Sequence, residues 1–283
     1  MSNRKLIYDV GANDGADTAY YLRSGYRVLA VEADPVLAAG LRDRFATAIA
    51  EGLVSVLHAA VLEKDVAGVD FFLSAKPTES SLLRSLAERP GPAAGFISVP
   101  GRNLCSLFAT YGLPWYCKLD IEGADARALA GLKECTVRPA YISCEASGLP
   151  IGEIAGNEQL LFAALDALVA AGYRQFMLID QESLLPLSDQ GFYDRMHWWS
   201  SRVMTKLERW LDKPGPRHSN RRFLARQGLP EADSDSGAFG DALEGAWADF
   251  EVTRRRMSRH FFHYYQYTKN KRFIFWVDIH AKY

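Results

Sequence analysis

Short apolar runs alternate with helical patterns over the first 180 residues of the chain. Six runs have the length and composition of strands buried in a sheet: Lys5–Val10, Arg27–Glu32, Ser55–Val61, Tyr116–Asp120, Ala140–Glu145 and Arg174–Asp180. Four segments between them carry helical patterns: Asp17–Ser24, Pro35–Glu51, Ala124–Leu132 and Glu158–Ala171. The alternation predicts an α/β fold, with a doubly wound, mostly parallel sheet of seven strands once a late strand is added.

That late strand is predicted at Arg272–Ile279, which is rich in β-branched and aromatic residues. The segment before it is polar and aromatic, with four tryptophans and a middle rich in Gly, Pro, Asp and Ser. Earlier in the chain, Asp70–Ser74 predicts an edge strand and Lys76–Pro100 predicts a loop. We therefore expect three parts: a core over residues 1–180, an insertion over residues 181–271 that caps the substrate, and the last core strand over residues 272–283.

Composition places the chain among globular proteins. Its 283 residues, 48% of them hydrophobic, can bury a full core. A net charge of −1 gives no field that would attract nucleic acid or an anionic membrane. No apolar run reaches the length of about 18 residues that predicts a membrane span, and no signal-peptide core follows the first residues. The cysteines lack metal-binding spacing, so we expect a cytoplasmic protein with free, buried thiols at Cys105, Cys117, Cys135 and Cys144.

The turn after the first strand carries the strongest chemical signal. The strand ends near Asp9, and the chain then passes Gly11 and Gly15 into a helical pattern. Glycines allow a tight turn close to a ligand, and a helix N-terminus offers unpaired N–H groups. Asn13 stands where a dinucleotide-binding turn has its middle glycine, and no phosphate loop with Gly-Lys-Ser/Thr is present. The ordinary alternative is a strand–turn–helix that uses glycine only for the turn.

Two carboxylates indicate which nucleotide-like ligand fits this turn. Asp9 would repel a phosphate but would pair with an ammonium group, and Glu32, which ends the second strand, can accept both hydroxyls of a ribose. A ligand with a ribose and an amino-acid ammonium, and without phosphate, is S-adenosylmethionine. The alternative for Glu32 is a surface carboxylate beside a helix.

Three motifs carry a resemblance to a known family. Residues 9–15 read Asp-Val-Gly-Ala-Asn-Asp-Gly, residues 31–35 read Val-Glu-Ala-Asp-Pro, and residues 118–124 read Lys-Leu-Asp-Ile-Glu-Gly-Ala. Together they resemble the FkbM-type S-adenosylmethionine-dependent methyltransferases, and the ending Trp-Val-Asp-Ile-His-Ala at residues 276–281 resembles some members. The resemblance implies a class I, Rossmann-like methyltransferase fold and O-methylation, often of sugars or secondary metabolites.

The candidate cofactor residues lie in these motifs, because ligands of open α/β sheets bind at the carboxyl ends of strands. They are Asp9, Gly11, Asn13, Asp14, Gly15, Glu32, Ala33, Asp120 and Glu122. Of Asp120 and Glu122, one carboxylate could orient the cofactor amine while the other contacts the acceptor. Lys118 shares a strand face with Asp120, so it either pairs with an acidic side chain in the site or is structural.

Methyl transfer to an alcohol needs a base that removes the hydroxyl proton. His280 is the first choice, since histidine titrates near neutral pH, and Asp278 shares its strand face. Asp120 completes the candidate catalytic set. The alternative for His280 is a hydrogen-bonded structural histidine. Candidate substrate-binding residues are Glu122, Glu145, His197 and Trp198.

Other functions and partners agree less well with the motifs. The spacing of His260 and His263 fits no known metal motif, so we expect no metal. An NAD-dependent oxidoreductase or nucleotide-sugar epimerase is the rival enzyme, and a non-catalytic binding module is the rival from another class. The expected partner is a small-molecule hydroxyl acceptor such as a sugar or glycoside, without nucleic acid or a membrane span, and an oligomer is left open.

Overall fold

The structure is a computed structural model. It describes residues 4–75, 80–88, 91–147, 149–181, 185–187, 237–243, 245, 247–267 and 275–283. Its large sheet has eight strands: β1 Leu6–Val10, β2 Arg27–Glu32, β3 Val54–His58, β7 Tyr116–Leu119, β8 Tyr141–Glu145, β9 Gln175–Asp180, β10 Leu185–Pro186 and β11 Val277–Lys282. Their order across the sheet is β10-β9-β11-β8-β7-β1-β2-β3, and β10 and β11 are antiparallel to their neighbours. The expected α/β fold with a mostly parallel, Rossmann-like core is confirmed.

A second, three-stranded sheet was not predicted. It consists of β4 Ala60–Val61, β6 Gly95–Arg102 and β5 Val66–Leu73, in that spatial order. The predicted strand Ser55–Val61 was therefore wrong in its second half, because the chain leaves the large sheet after His58. The predicted edge strand Asp70–Ser74 lies largely in β5, and the predicted loop Lys76–Pro100 contains a helix and most of β6.

Helices cover both faces of the large sheet. Nine α-helices lie in the described residues: α1 Ala16–Arg23, α2 Pro35–Arg44, α3 Ala46–Ala50, α4 Arg84–Ala87, α5 Leu104–Tyr111, α6 Asp125–Ala130, α7 Ile151–Gly156, α8 Gln159–Ala170 and α9 Phe250–Tyr267. Short 3-10 helices follow at Gly131–Glu134 and Gly240–Ala242. The start of α2 shows how local chemistry sets a boundary. Pro35 stands in the first turn, and the Asp34 carboxylate accepts the N–H groups of Val36 and Leu37.

The two faces of the sheet have different interiors. On one face, apolar residues such as Tyr8, Leu119 and Ile142 pack against residues of α5, α6 and α8 in the main core. On the other face, Ile7 and Tyr116 pack with Tyr20 and Tyr21 of α1 in an aromatic cluster. That second face also carries buried charged residues. They lie near α1, toward the carboxyl ends of the central strands.

Cys105 and Cys135 form a disulfide, so the prediction of four free thiols was wrong for these two. Their Cα atoms are 5.3 Å apart, which is within the normal range for a disulfide, and the bond joins α5 to the end of the 3-10 helix after α6. Cys117 and Cys144 are free and buried as expected. The cytoplasmic location stays a prediction, and a disulfide is uncommon in that compartment.

Parts of the predicted insertion can be placed. Within residues 181–271 the structure describes β10, a 3-10 turn and α9, and α9 packs against β9 and α8. His197 and Trp198 lie outside the described residues. The role of residues 181–271 as a substrate cap remains a prediction. A membrane-crossing helix, with the length and apolar character this requires, is absent from the part of the chain that the structure describes.

Candidate active site

A cleft opens where the carboxyl ends of β1, β2 and β7 meet the second sheet. Most of the candidate cofactor residues line it: Gly11, Asn13, Asp14, Glu32, Ala33, Asp120 and Glu122. Asp9 and Gly15 are absent from its lining. This position agrees with the rule that open α/β sheets bind ligands beyond the carboxyl ends of their strands.

The turn between β1 and α1 is held in conformations that favour glycine. Gly11 and Gly15 have φ angles of 84° and 83°, and Asn13 has a φ of 50°. The Gly11 N–H donates to the carbonyl oxygen of Val31 at 2.9 Å, which ties the turn to β2. A Cβ atom at position 11 would overlap the backbone carbonyl oxygen of Asp120. Gly11 therefore lets the turn after β1 approach the loop after β7.

Glu32 is fixed by two backbone hydrogen bonds. Its carboxylate accepts the N–H of Asn13 and the N–H of Asp34, each at 2.8 Å. Burial raises the pKa of Glu32, and these two N–H donors partly oppose the rise. Because each carboxylate oxygen can accept more than one hydrogen bond, the side chain keeps acceptor capacity toward the cleft. It can therefore bind a diol such as a ribose.

Asp9 lies beneath the cleft. The residue is fully buried, and it accepts a hydrogen bond from the Thr18 hydroxyl at 2.5 Å. Burial raises the pKa of Asp9 to about 6, although the charge of Lys118 works in the other direction. Its position favours an indirect role in cofactor binding, because Asp120 lies closer to any ligand in the cleft.

Lys118 forms ion pairs with two acidic residues. Its Nζ atom lies 2.5 Å from Oδ2 of Asp17 on α1 and 3.1 Å from Oδ2 of Asp120. Of the two alternatives for Lys118, pairing with an acidic side chain in the site is the one that the structure supports. Burial lowers the pKa of Lys118, but the carboxylates of Asp17, Asp120 and Asp9 together raise it well above its ordinary value.

Three acidic residues, Asp120, Glu145 and Asp278, form a carboxyl row. The row follows the carboxyl edge of the sheet, which is the edge where the parallel strands end. Glu145 ends β8, and Asp278 is its partner on antiparallel β11. Asp120 comes one position after the end of β7, beside Glu145. The pKa values of Glu145 and Asp278 are well above their ordinary range because of burial first and the charge of Asp120 next. Once ionised, either group is therefore a stronger proton acceptor than an ordinary carboxylate.

His280 lies deeper in the sheet than Asp278. Its backbone pairs with Ser143 and Met177, in the row that contains Lys118 and not in the row of Asp120. The side chain is buried, and burial lowers its pKa to about 4. Like Asp278 and Glu145, the residue is not part of the cleft lining, but it lies two positions farther from the carboxyl edge than Asp278. This position favours a neutral, structural histidine, and the catalytic role of His280 stays a prediction.

Comparisons with known proteins give the family. A model of the FkbM methyltransferase domain matches residues 9–175. The chain belongs to this family. The FkbM-type resemblance of the motifs is thereby confirmed, and the cofactor is S-adenosylmethionine.

The individual relatives of this chain are distant in sequence. A dimethyladenosine transferase of Schizosaccharomyces pombe is 29% identical over 122 residues, which cover 42% of this chain and 40% of that protein. The chain thus spans about two fifths of this relative. An FkbM methyltransferase structure from Methylobacillus flagellatus has 18% identity and a TM-score of 0.42, covering 63% of this chain and 40% of that one. A Geobacter sulfurreducens methyltransferase with S-adenosyl-L-homocysteine has 12% identity and a TM-score of 0.35, covering 99% and 85%.

The residues of the cleft fit S-adenosylmethionine. Glu32 offers carboxylate oxygens at the end of β2, and Ala33, Leu37 and Phe71 provide apolar surface near it. At the other end, Asp120 keeps 41% of its side chain exposed beside Lys118. The carboxylates of Asp9, Asp17 and Asp120 outnumber the one lysine among them, and this surplus negative charge suits a ligand with an ammonium group. Among the described residues no cluster of histidine, cysteine or acidic side chains could hold a metal ion.

Sequence reasoning missed some of the residues that line the cleft. The missed lining residues are Asp17, Leu37, Ala59, Ala60, Val61, Phe71, Ser80 and Leu82. Ala59 to Val61 are the last residues of the third predicted strand, so the rule on carboxyl ends could have found them. Ser80 and Leu82 carried no signal. They reach the cleft because the neighbouring Ser81 hydroxyl donates to the carbonyl oxygen of Glu122 at 2.9 Å.

We expect an Asp125→Asn variant to gain stability, relative to the unchanged protein, as the pH rises from 5 to 7. Burial and the charge of Asp120 raise the pKa of Asp125 to about 7, from an ordinary value of about 4. The folded chain therefore holds a proton that the unfolded chain has released, and stability falls by about 1.4 kcal/mol per pH unit for this group. Urea unfolding at several pH values measures the difference, with exposed Asp43→Asn as the control. Parallel curves for the protein and Asp125→Asn would contradict the expectation.

Proposed function

We propose that this methyltransferase transfers a methyl group from S-adenosylmethionine to a hydroxyl group of a small molecule, such as a sugar, a glycoside or a secondary metabolite. The observation that carries the proposal is the cleft with Glu32 at one end and Asp120, beside the carboxyl row, at the other. The end with Glu32 suits a ribose. At the other end, the Asp120 carboxylate can bind an ammonium group, and the carboxyl row beside it offers groups that can accept a proton.

S-adenosylmethionine, when bound, supplies a methyl group on a sulfonium, which is an excellent leaving group. The work left to the chain is to position the acceptor oxygen, to exclude water and to remove a proton. In this proposal Glu32 and Ala33 hold the nucleoside, while Asp120 and Glu122 orient the amino-acid end. The segment from Ser80 to Leu82, anchored on the carbonyl oxygen of Glu122, covers the cleft from the side of the second sheet.

For the base we propose Asp278, with Glu145 as its neighbour. Burial raises the pKa of Asp278 and of Glu145, so the ionised form of either carboxyl is a stronger proton acceptor than an ordinary carboxylate. This departs from the first choice of sequence reasoning, His280, because the register of β11 brings Asp278 and not His280 to the carboxyl edge.

Asp278→Asn is therefore expected to lower kcat by about 100-fold, since removing a general base typically costs two to four orders of magnitude. Its dissociation constant for S-adenosylmethionine should stay near that of the unchanged protein. His280→Ala is the matched comparison on the same strand and should leave kcat within a few-fold. The opposite pattern, with His280→Ala inactive and Asp278→Asn active, would restore histidine as the base.

The function itself is tested in two steps. Calorimetric titration with S-adenosylmethionine and S-adenosylhomocysteine should show binding that Glu32→Ala weakens. Labelled methyl donor is then offered with a panel of sugars, glycosides and other alcohols, and with amines of similar size. Transfer to a hydroxyl supports the proposal. Transfer to amines alone would rule out O-methylation, and binding without any transfer would favour a non-catalytic module.

A further inference from the structure

Lys118 occupies an unusual place for a lysine. It lies in the middle of the sheet on β7, only 6% of the residue is exposed, and its ammonium group reaches the edge of the cleft. Burying a lysine is costly unless the charge is paired. Here the partners come from two different elements, Asp17 from α1 and Asp120 from the loop after β7. The lysine therefore links a helix to a loop at the point where both face the cleft.

The two contacts of Lys118 differ in character. Asp17 is 7% exposed, so this partner is as deeply buried as the lysine itself. Asp120 keeps 41% of its side chain exposed, and it is the partner that can also meet a ligand. A lysine held by a fixed carboxylate on one side restricts the position of the more exposed carboxylate on the other.

We infer that Lys118, anchored by Asp17, is a positioning residue for Asp120, which it holds at the wall of the cleft to receive the ammonium group of S-adenosylmethionine. The inference rests on the proposed function, because it needs that cofactor. One lysine leaves the site with a net negative charge, since it pairs with Asp17 and Asp120 and also feels the charge of Asp9. Its distinctive contribution is geometric.

The test removes the link and keeps the charge balance. The double variant Lys118→Met/Asp17→Asn loses one cation and one anion, so the net charge at the cleft is unchanged. Two ligands are titrated by calorimetry: S-adenosylmethionine, and 5′-methylthioadenosine, which has the nucleoside but no amino-acid end. We expect affinity for S-adenosylmethionine to fall about tenfold, the size of a typical coupling between contacting groups. Affinity for 5′-methylthioadenosine should not change.

A second measurement asks whether the lysine acts through Asp120. Asp120→Asn should show the same selective loss, and adding the double substitution to Asp120→Asn should cause no further loss. Equal weakening of both ligands, unchanged affinity for S-adenosylmethionine, or additive losses would each overturn the inference. If the double variant does not fold, Lys118→Arg keeps the charge and shifts its position, and the same selective loss is expected. Equal affinities in Lys118→Arg and the unchanged protein would then overturn it.

Failure of the proposed function gives a different result. If the unchanged protein binds neither S-adenosylmethionine nor S-adenosylhomocysteine, the proposed function fails. In the other case the unchanged protein binds both, while the Lys118→Met/Asp17→Asn variant has the same ratio of affinities for S-adenosylmethionine and 5′-methylthioadenosine as the unchanged protein. Then only the positioning role of Lys118 fails.

Discussion

Gly11→Ala is expected to abolish cofactor binding and to lower the free energy of unfolding by more than about 4 kcal/mol. Losses of this size are exceptional for a single substitution and have few physical causes. Two costs combine at this position. The residue has a φ of 84°, which costs an L-residue roughly 1–2 kcal/mol. In addition, the new Cβ would overlap the carbonyl oxygen of Asp120, and backbone cannot rotate away as a side chain can. The turn after β1 and the loop after β7 would have to separate.

Gly25→Ala is the matched control. Gly25 has nearly the same φ, 88°, but a Cβ atom at this position would meet nothing within 4 Å. This variant should lose only the conformational term, about 1–2 kcal/mol. Chemical unfolding of both variants, with calorimetric titration of S-adenosylmethionine, separates strain from collision. If Gly11→Ala is no less stable than Gly25→Ala and still binds the cofactor, the close approach of the two loops is not as described.

Removing the disulfide is expected to have the second largest effect. The bond joins cysteines 30 residues apart. Closing a loop of this length restricts the unfolded chain, and the entropy model gives about 3–4 kcal/mol of stabilisation. The double variant Cys105→Ala/Cys135→Ala should therefore lose about this amount in urea unfolding under oxidising conditions. A reducing agent should destabilise the unchanged protein similarly and leave the double variant unaffected.

The free thiols provide the control for this experiment. Cys117 and Cys144 are buried and unpaired with each other, so their replacement by alanine changes packing alone. The stability of that variant should respond to a reducing agent as the unchanged protein does. If reduction has no effect on the unchanged protein, the Cys105–Cys135 bond contributes nothing to its stability.

The parts of the site that could be predicted from sequence are those set by local chemistry. The turn with Gly11 and Gly15 follows from backbone conformations that few other residues adopt, and Glu32 from its place at the end of a strand. The interval between apolar runs was sufficient to locate β1, β2, β7, β8 and β9. Strand signals do not say to which sheet a strand belongs, and this is why β4 was merged with β3.

The direction of the C-terminal strand explains why the base proposed from the structure differs from the one predicted from the sequence. Asp278 and His280 were correctly placed on one strand face, but alternation does not reveal which of the two lies nearer the ligand. Because β11 is antiparallel to β8, its earlier residue comes to the carboxyl edge and its later residue goes below. The disulfide was missed for a related reason, since a pairing between α5 and a distant turn depends on tertiary structure that spacing does not encode.

The position of β11 also bears on how the chain folds as it leaves the ribosome. In the described residues β9 pairs only with β10 and β11, and β11 alone connects it to β8. About a hundred residues of synthesis separate β9 from the strand that joins it to the sheet, and such late, non-local pairings are slow. Until residue 282 has emerged, nascent β8 and β9 each keep an edge without its partner, and this is the interval in which chaperones would have most to protect.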